Sequence, residues 1–174
     1  MRRLALWALA LLMAGCASPP PAPSSGWAGK LGYQVEASAE RRAQAGSALF
    51  ELQGGPERGQ IQLNSPLGTA LAHAAWGTDG VWLDDGQGRR RFAHLDELAQ
   101  ALGDALQGPA LPLTALFDWL EGRPQAEHPH QAGPDGFEQL GWKVQRQEQT
   151  LTLSRPAQGG QGAIRLRILL TPAP

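Results

Sequence analysis

Four histidines, one cysteine and one adjacent pair of aspartates are the side chains of this sequence with the most chemistry to offer. His128-Pro129-His130 sets two imidazoles close together, a spacing that can begin a metal site. No cysteine and no second tight His/Asp cluster accompanies them, so a proline-rich surface loop explains the pair better. Asp84-Asp85 could serve as paired carboxylates in acid–base chemistry, but Gly86 follows at once and a turn accounts for both. His73 and His94 stand alone. No serine sits in a Gly-x-Ser-x-Gly elbow that would present a nucleophile. Gly29-Lys30 is followed by Leu31 rather than Ser or Thr, so it is no phosphate-binding loop. The residues therefore predict no enzyme, no metal and no cofactor, and any work must be driven by differences in binding.

Cys16 has a different chemistry. It ends the short apolar stretch Leu12-Met13-Ala14-Gly15-Cys16, and with one cysteine in the chain it has no disulfide partner. Arg2 and Arg3 form a positive start, and Leu4 to Ala14 an uncharged apolar run. That run is too short for a membrane span of about 20 residues. Small residues then precede the cysteine, as at a lipoprotein cleavage site. The reading is a signal peptide over residues 1–15, cleaved before Cys16, whose sulfur and new amino group take acyl chains. Each buried CH₂ is worth about 0.8 kcal/mol, so two or three chains anchor stably where one does not. Ala17, in place of Asp, favours the outer membrane, with the domain in the periplasm. Residues 16–26 hold the acylated cysteine and a Pro/Ser-rich tether, at about 3 Å per residue. Residues 27–174 form one domain.

Past the leader the chain carries 13 basic and 16 acidic side chains, a net −3, which argues against a nucleic-acid partner. The elements that must position any site are mostly strands. Residues 27–36 alternate with a period of two, as do 47–53, 60–64, 69–76, 81–83 and 89–92. Asp79-Gly80 and Asp85-Gly86 mark turns. The period then lengthens to that of a helix. Leu95, Leu98, Ala99, Leu102 and Leu106 line one face over 96–106, and Leu113, Leu116, Phe117 and Leu120 another that opens at Pro112. Residues 123–136 read as a loop, and strands resume at 137–147, 150–154 and 163–171. The pattern predicts a β-rich α+β fold: a curved antiparallel sheet with one apolar face and two amphipathic helices covering it. Whether the sheet closes, or stays open around an apolar cavity, is not set by periodicity.

Ser65-Pro66-Leu67-Gly68 has the residue types of a tight turn between two strands. It puts Leu67 at a hairpin tip, where the leucine either packs back or stands exposed.

Trp27-x-Gly-Lys-Leu31, the strand Ala48 to Leu52, the turn Leu63 to Thr69 and the run from Pro112 through Leu120-x-Gly-Arg-Pro124 together resemble the LolB family of outer-membrane lipoprotein receptors. The resemblance runs from about Trp27 to Leu170. It implies an incomplete antiparallel β-barrel with helices lidding a hydrophobic cavity. It implies a monomeric receptor that takes acylated lipoproteins from the periplasmic carrier LolA and inserts them into the inner leaflet of the outer membrane. Its partners would be LolA, lipoprotein acyl chains and phospholipid. It implies that the loop Pro66-Leu67-Gly68, through Leu67, aids insertion. Candidate cavity residues are Leu31, Tyr33, Phe50, Leu52, Ile61, Leu63, Trp76, Phe92, Leu98, Leu102, Leu116 and Trp119, each of which fits a packed core equally well. Two other readings compete: a structural or assembly lipoprotein that binds another envelope component, and a hydrolase of envelope lipids or glycans.

Overall fold

The computed structural model describes residues 26–171, so Cys16 and most of the tether lie outside the described residues. Six strands come first: β1 (Gly26–Val35), β2 (Gln44–Gly54), β3 (Gly59–Asn64), β4 (Ala70–Gly77), β5 (Gly80–Asp84) and β6 (Arg89–Phe92). Helices α1 (Leu95–Leu106) and α2 (Leu113–Leu120) follow. Five more strands complete the chain: β7 (His130–Gly133), β8 (Gly136–Gln139), β9 (Trp142–Gln147), β10 (Thr150–Arg155) and β11 (Ile164–Leu170).

All of them join one antiparallel sheet in the order β6-β5-β4-β3-β2-β1-β11-β10-β9-β8-β7. The two meanders meet where β11 pairs with β1, Leu31 opposite Ile168 and Tyr33 opposite Leu166. The sheet does not close: β6 and β7 are its edges. Both edges are four residues long, and β6 carries Arg89, Arg90 and Arg91, which discourages pairing with another chain. The segment bearing α1 and α2 links one edge to the other. It therefore lies across the apolar face, and the sheet curls around it as an incomplete barrel.

Alternation decides which side chains face inward. In β11 every second residue, Ile164, Leu166, Ile168 and Leu170, is buried while Arg165 and Arg167 are exposed. Six of the eight residues of α2 are buried, among them Phe117, Trp119 and Leu120. Truncating one such leucine to alanine costs about 2–5 kcal/mol.

Two stretches depart from the sequence expectation. Residues 137–147 form two strands, because Leu140 and Gly141 both adopt left-handed backbone (φ 53° and 76°) and make a two-residue hairpin turn. An apolar leucine at the first turn position hides that break inside an alternating run. The loop expected over 123–136 holds β7, whose residues are all exposed; a strand with neither face buried shows no hydrophobic period. Pro112 sits just outside α2 as its N-cap, in extended conformation, with its carbonyl accepting from Leu116 N.

Candidate functional site

Between the helices and the concave face lies an apolar hollow of about 60 Å³. Leu31, Tyr33, Phe50, Leu52, Ile61, Leu63, Leu102 and Leu116 line it. The other four candidates stand elsewhere. Trp76 lines an open groove, Leu98 and Trp119 are fully buried outside the hollow's wall, and Phe92 is half-buried on edge strand β6. The wall also includes Leu106, Pro109, Leu111, Leu113, Leu120, Leu166 and Ile168. Leu106, Leu113 and Leu120 carried the helical period, and Leu166 and Ile168 the strand period. Pro109 and Leu111 lie in the connection between the helices and gave no periodic signal.

Tyr33 holds one end of this lid. Its hydroxyl donates to the carbonyl of Leu106 (2.6 Å) and also lies 3.0 Å from that of Gln107, where α1 ends. Two glycines make room for the ring. A Cβ at position 46 would stand 2.5 Å from the Tyr33 hydroxyl, and one at 108 would stand 3.1 Å from the ring. Burial pushes the Tyr33 phenol above its ordinary value, since the site disfavours a phenolate.

α2 is tied down more firmly. The Gln139 amide, 2% exposed, accepts from Trp119 Nε1 and from the backbone N–H of Gln125, both at 2.9 Å. Its NH₂ donates to the carbonyls of Gln125 (2.8 Å) and His128 (2.9 Å). All four valences of this amide are thus used inside the protein. The Phe117 ring also meets Trp27 and Trp76 edge-on at 5.7 and 6.1 Å. Such a buried, fully satisfied network resists rearrangement. α1 has the Tyr33 latch at its C-terminal end, a bond from Ala93 N to Glu97 Oε2 (3.0 Å) at its N-terminal end and apolar contacts, but no buried polar network of this kind among the described residues.

The β3–β4 connection closes as a tight turn. Gly68 N donates to Ser65 O (2.8 Å), Ser65 N to Thr69 O (2.7 Å) and Thr69 N to Ser65 Oγ (3.1 Å). Gly68 takes a left-handed conformation (φ 86°) that favours glycine. So small a ring has no interior in which to bury a side chain, and Leu67 is 95% exposed.

A second concavity, an open groove of about 760 Å³, adjoins the hollow: Ala99 and Leu111 line both. Arg155 reaches into it, its guanidinium 4.8 Å from the centre of the Trp142 ring. Burial holds the Arg155 pKa below the ordinary arginine value.

Of the residues weighed for catalysis, His94 and His128 line the open groove and the others lie apart from it. His73 lies on the outer face of β4 against Trp82, ring centroids 5.0 Å apart. His130 sits on edge strand β7 beside Phe137. Asp84 and Asp85 cap the β5–β6 turn, accepting from Gly86 N and Gln87 N at 3.1 and 3.2 Å. Among the described residues no three His, Cys, Asp or Glu side chains are grouped as a metal site. No described helix is long and apolar enough to cross a membrane.

A family model described as outer membrane lipoprotein LolB matches residues 27–169, nearly the whole sheet and both helices. The chain belongs to the LolB family. Several curated relatives of similar sequence are named outer-membrane lipoprotein LolB. The protein of Neisseria meningitidis is 35% identical over 112 residues, covering 64% of this chain and 56% of the relative, little more than half its length. The match to Ralstonia nicotianae is 36% identical over 160 residues, 81% of this chain and 74% of the relative. That to Chromobacterium violaceum is 33% identical over 150 residues, 83% and 81% respectively. The LolB match spans every residue of the hollow's wall and the Leu67 turn.

Proposed function

We propose that this LolB-family chain is an outer-membrane lipoprotein of the Lol pathway that receives acylated lipoproteins from the carrier LolA. It is anchored through acylated Cys16, with its domain facing the periplasm. Cargo chains enter the apolar hollow, and the Leu67 tip then helps pass them into the inner leaflet. No nucleotide is hydrolysed. Cargo moves because each successive site, ending in the bilayer, holds acyl chains more favourably.

The observation that carries this reading is an apolar hollow walled by sheet and helices, with the Tyr33 latch at the end of α1 that borders it. At about 60 Å³ it is a closed state. By comparison, an engineered apolar cavity of about 150 Å³ holds a single benzene. An acyl chain therefore enters only if α1 moves away, and the separated sheet and helix faces become its walls. Each CH₂ taken from water contributes about 0.8 kcal/mol, which offsets breaking the latch after very few carbons.

The test is depletion in the native cell. Lipoproteins should accumulate in the periplasm bound to the carrier, and normal sorting after depletion would refute the reading. The small hollow lends some support to a second reading, a structural lipoprotein that binds another envelope component through its surface. That reading predicts no uptake of an acylated peptide by the purified chain.

A further inference from the structure

Arg155 is placed where a charge is expensive. It follows Leu151 and Leu153 with the same inward parity on β10, and both its strand partner Ile164 and the Trp142 ring against its guanidinium are buried apolar residues. Its side chain makes one hydrogen bond, to Gln161 Oε1 at 3.0 Å, and no ion pair with any described residue. A guanidinium has five N–H donors, so most of its capacity is unused. In the same groove, Leu140 offers a side chain 42% exposed from a backbone in left-handed conformation. Leucine is a poor residue for that turn, and the strain costs about 1 kcal/mol. A glycine or asparagine would serve the turn better, so it is the side chain that the position uses. An apolar lip and a half-used cation thus share one groove with Glu57, Asp96, His94 and His128, and Ala99 and Leu111 line both it and the hollow.

We propose that this groove is a second subsite, in which Arg155 donates to the ester and amide carbonyls joining the acyl chains to the cargo's terminal cysteine. Leu140 covers the first methylenes beyond them. The inference rests on the acyl-receptor reading and adds to it a recognition of the linkage. Chains lying in the hollow place their carbonyl ends at its opening. A donor there distinguishes an acylated cysteine from bare hydrocarbon, which the hollow alone cannot do.

The test uses the full-length acylated chain in lipid nanodiscs and energy transfer from its tryptophans to pyrene. One probe is a tripalmitoyl-S-glyceryl-cysteinyl peptide with a pyrene-labelled acyl chain. The other is a pyrene-labelled alkane with no carbonyl. The lipid background is common to every variant and cancels in comparison. Arg155→Met keeps a flexible apolar stem over Trp142 and removes the donors. It should weaken the peptide probe about tenfold, the effect of losing one charge-assisted hydrogen bond, and change the alkane by less than about twofold. Unchanged alkane binding also reports a folded hollow. An equal loss on both probes would make Arg155 a packing residue only, and no loss on either would leave it no role; each overturns the subsite. If the parent chain binds neither probe, the receptor reading fails first and the subsite with it.

Discussion

Tyr33→Phe tests whether α1 is a latched lid. The substitution removes one oxygen and leaves the ring between Gly46 and Gly108. The hydroxyl has a single hydrogen, and the 2.6 Å approach to Leu106 O shows where it goes; Gln107 O at 3.0 Å shares it weakly. One hydrogen bond is therefore lost, a net effect of about 1 kcal/mol. Opening the lid breaks the same bond as unfolding does. The variant should thus be about 1 kcal/mol less stable in urea, and its open state should be about fivefold more populated. If acyl chains enter only through that open state, stopped-flow uptake of a pyrene-labelled acyl peptide at limiting probe should be about fivefold faster. A protein that is less stable but faster at its task is the signature sought. Lower stability with unchanged uptake would refute the reasoning, since entry would then not involve this end of α1.

Other substitutions separate the remaining parts. Leu67→Glu alters a side chain that is 95% exposed, so stability should stay within about 0.5 kcal/mol. Delivery from loaded carrier to liposomes should fall roughly thirtyfold, the equivalent of about 2 kcal/mol of leucine burial forfeited at the interface. Equal delivery by the two proteins would remove Leu67 from the mechanism. Leu140→Gly relieves the left-handed strain at φ 53° and should raise stability by about 1 kcal/mol, read from the urea midpoint at constant slope. Gln139→Leu strands Trp119 Nε1 and the Gln125 N–H without partners and should cost about 3 kcal/mol or more; a near-neutral result would deny that α2 is anchored there. Burial raises the Tyr33 phenol above 10.0, so its neutral form contributes stability that is complete below that pH and lost as pH climbs through the higher folded value. Alkaline titration of unfolding should show this decline, and Tyr33→Phe should lessen it.

Much of the fold was legible because burial is one-sided. β1, β2, β3 and β11 each bury one face, and a one-sided strand writes its period into the sequence. The same rule explains what was illegible. β7 buries neither face, and the Leu140-Gly141 turn carries an apolar residue where a polar one is expected. Leu67 was marked as a hairpin tip by Ser65, Pro66 and Gly68, yet its exposure needed the closed ring of hydrogen bonds. The Gln139 network was silent in the sequence, since a glutamine in a strand reads as an outward residue until its partners arrive from 11 to 20 positions away.

Local order along the chain was enough to settle the fold class of this protein: a sheet with one greasy side and two helices to cover it. Those properties depend on neighbouring residues and their spacing, which a linear text preserves. Which leucines wall a hollow and which fill a core depends on how far two faces approach each other. That distance is set by the curl of eleven strands and by contacts between residues such as Tyr33 and Leu106, 73 positions apart. Only the folded chain decides it.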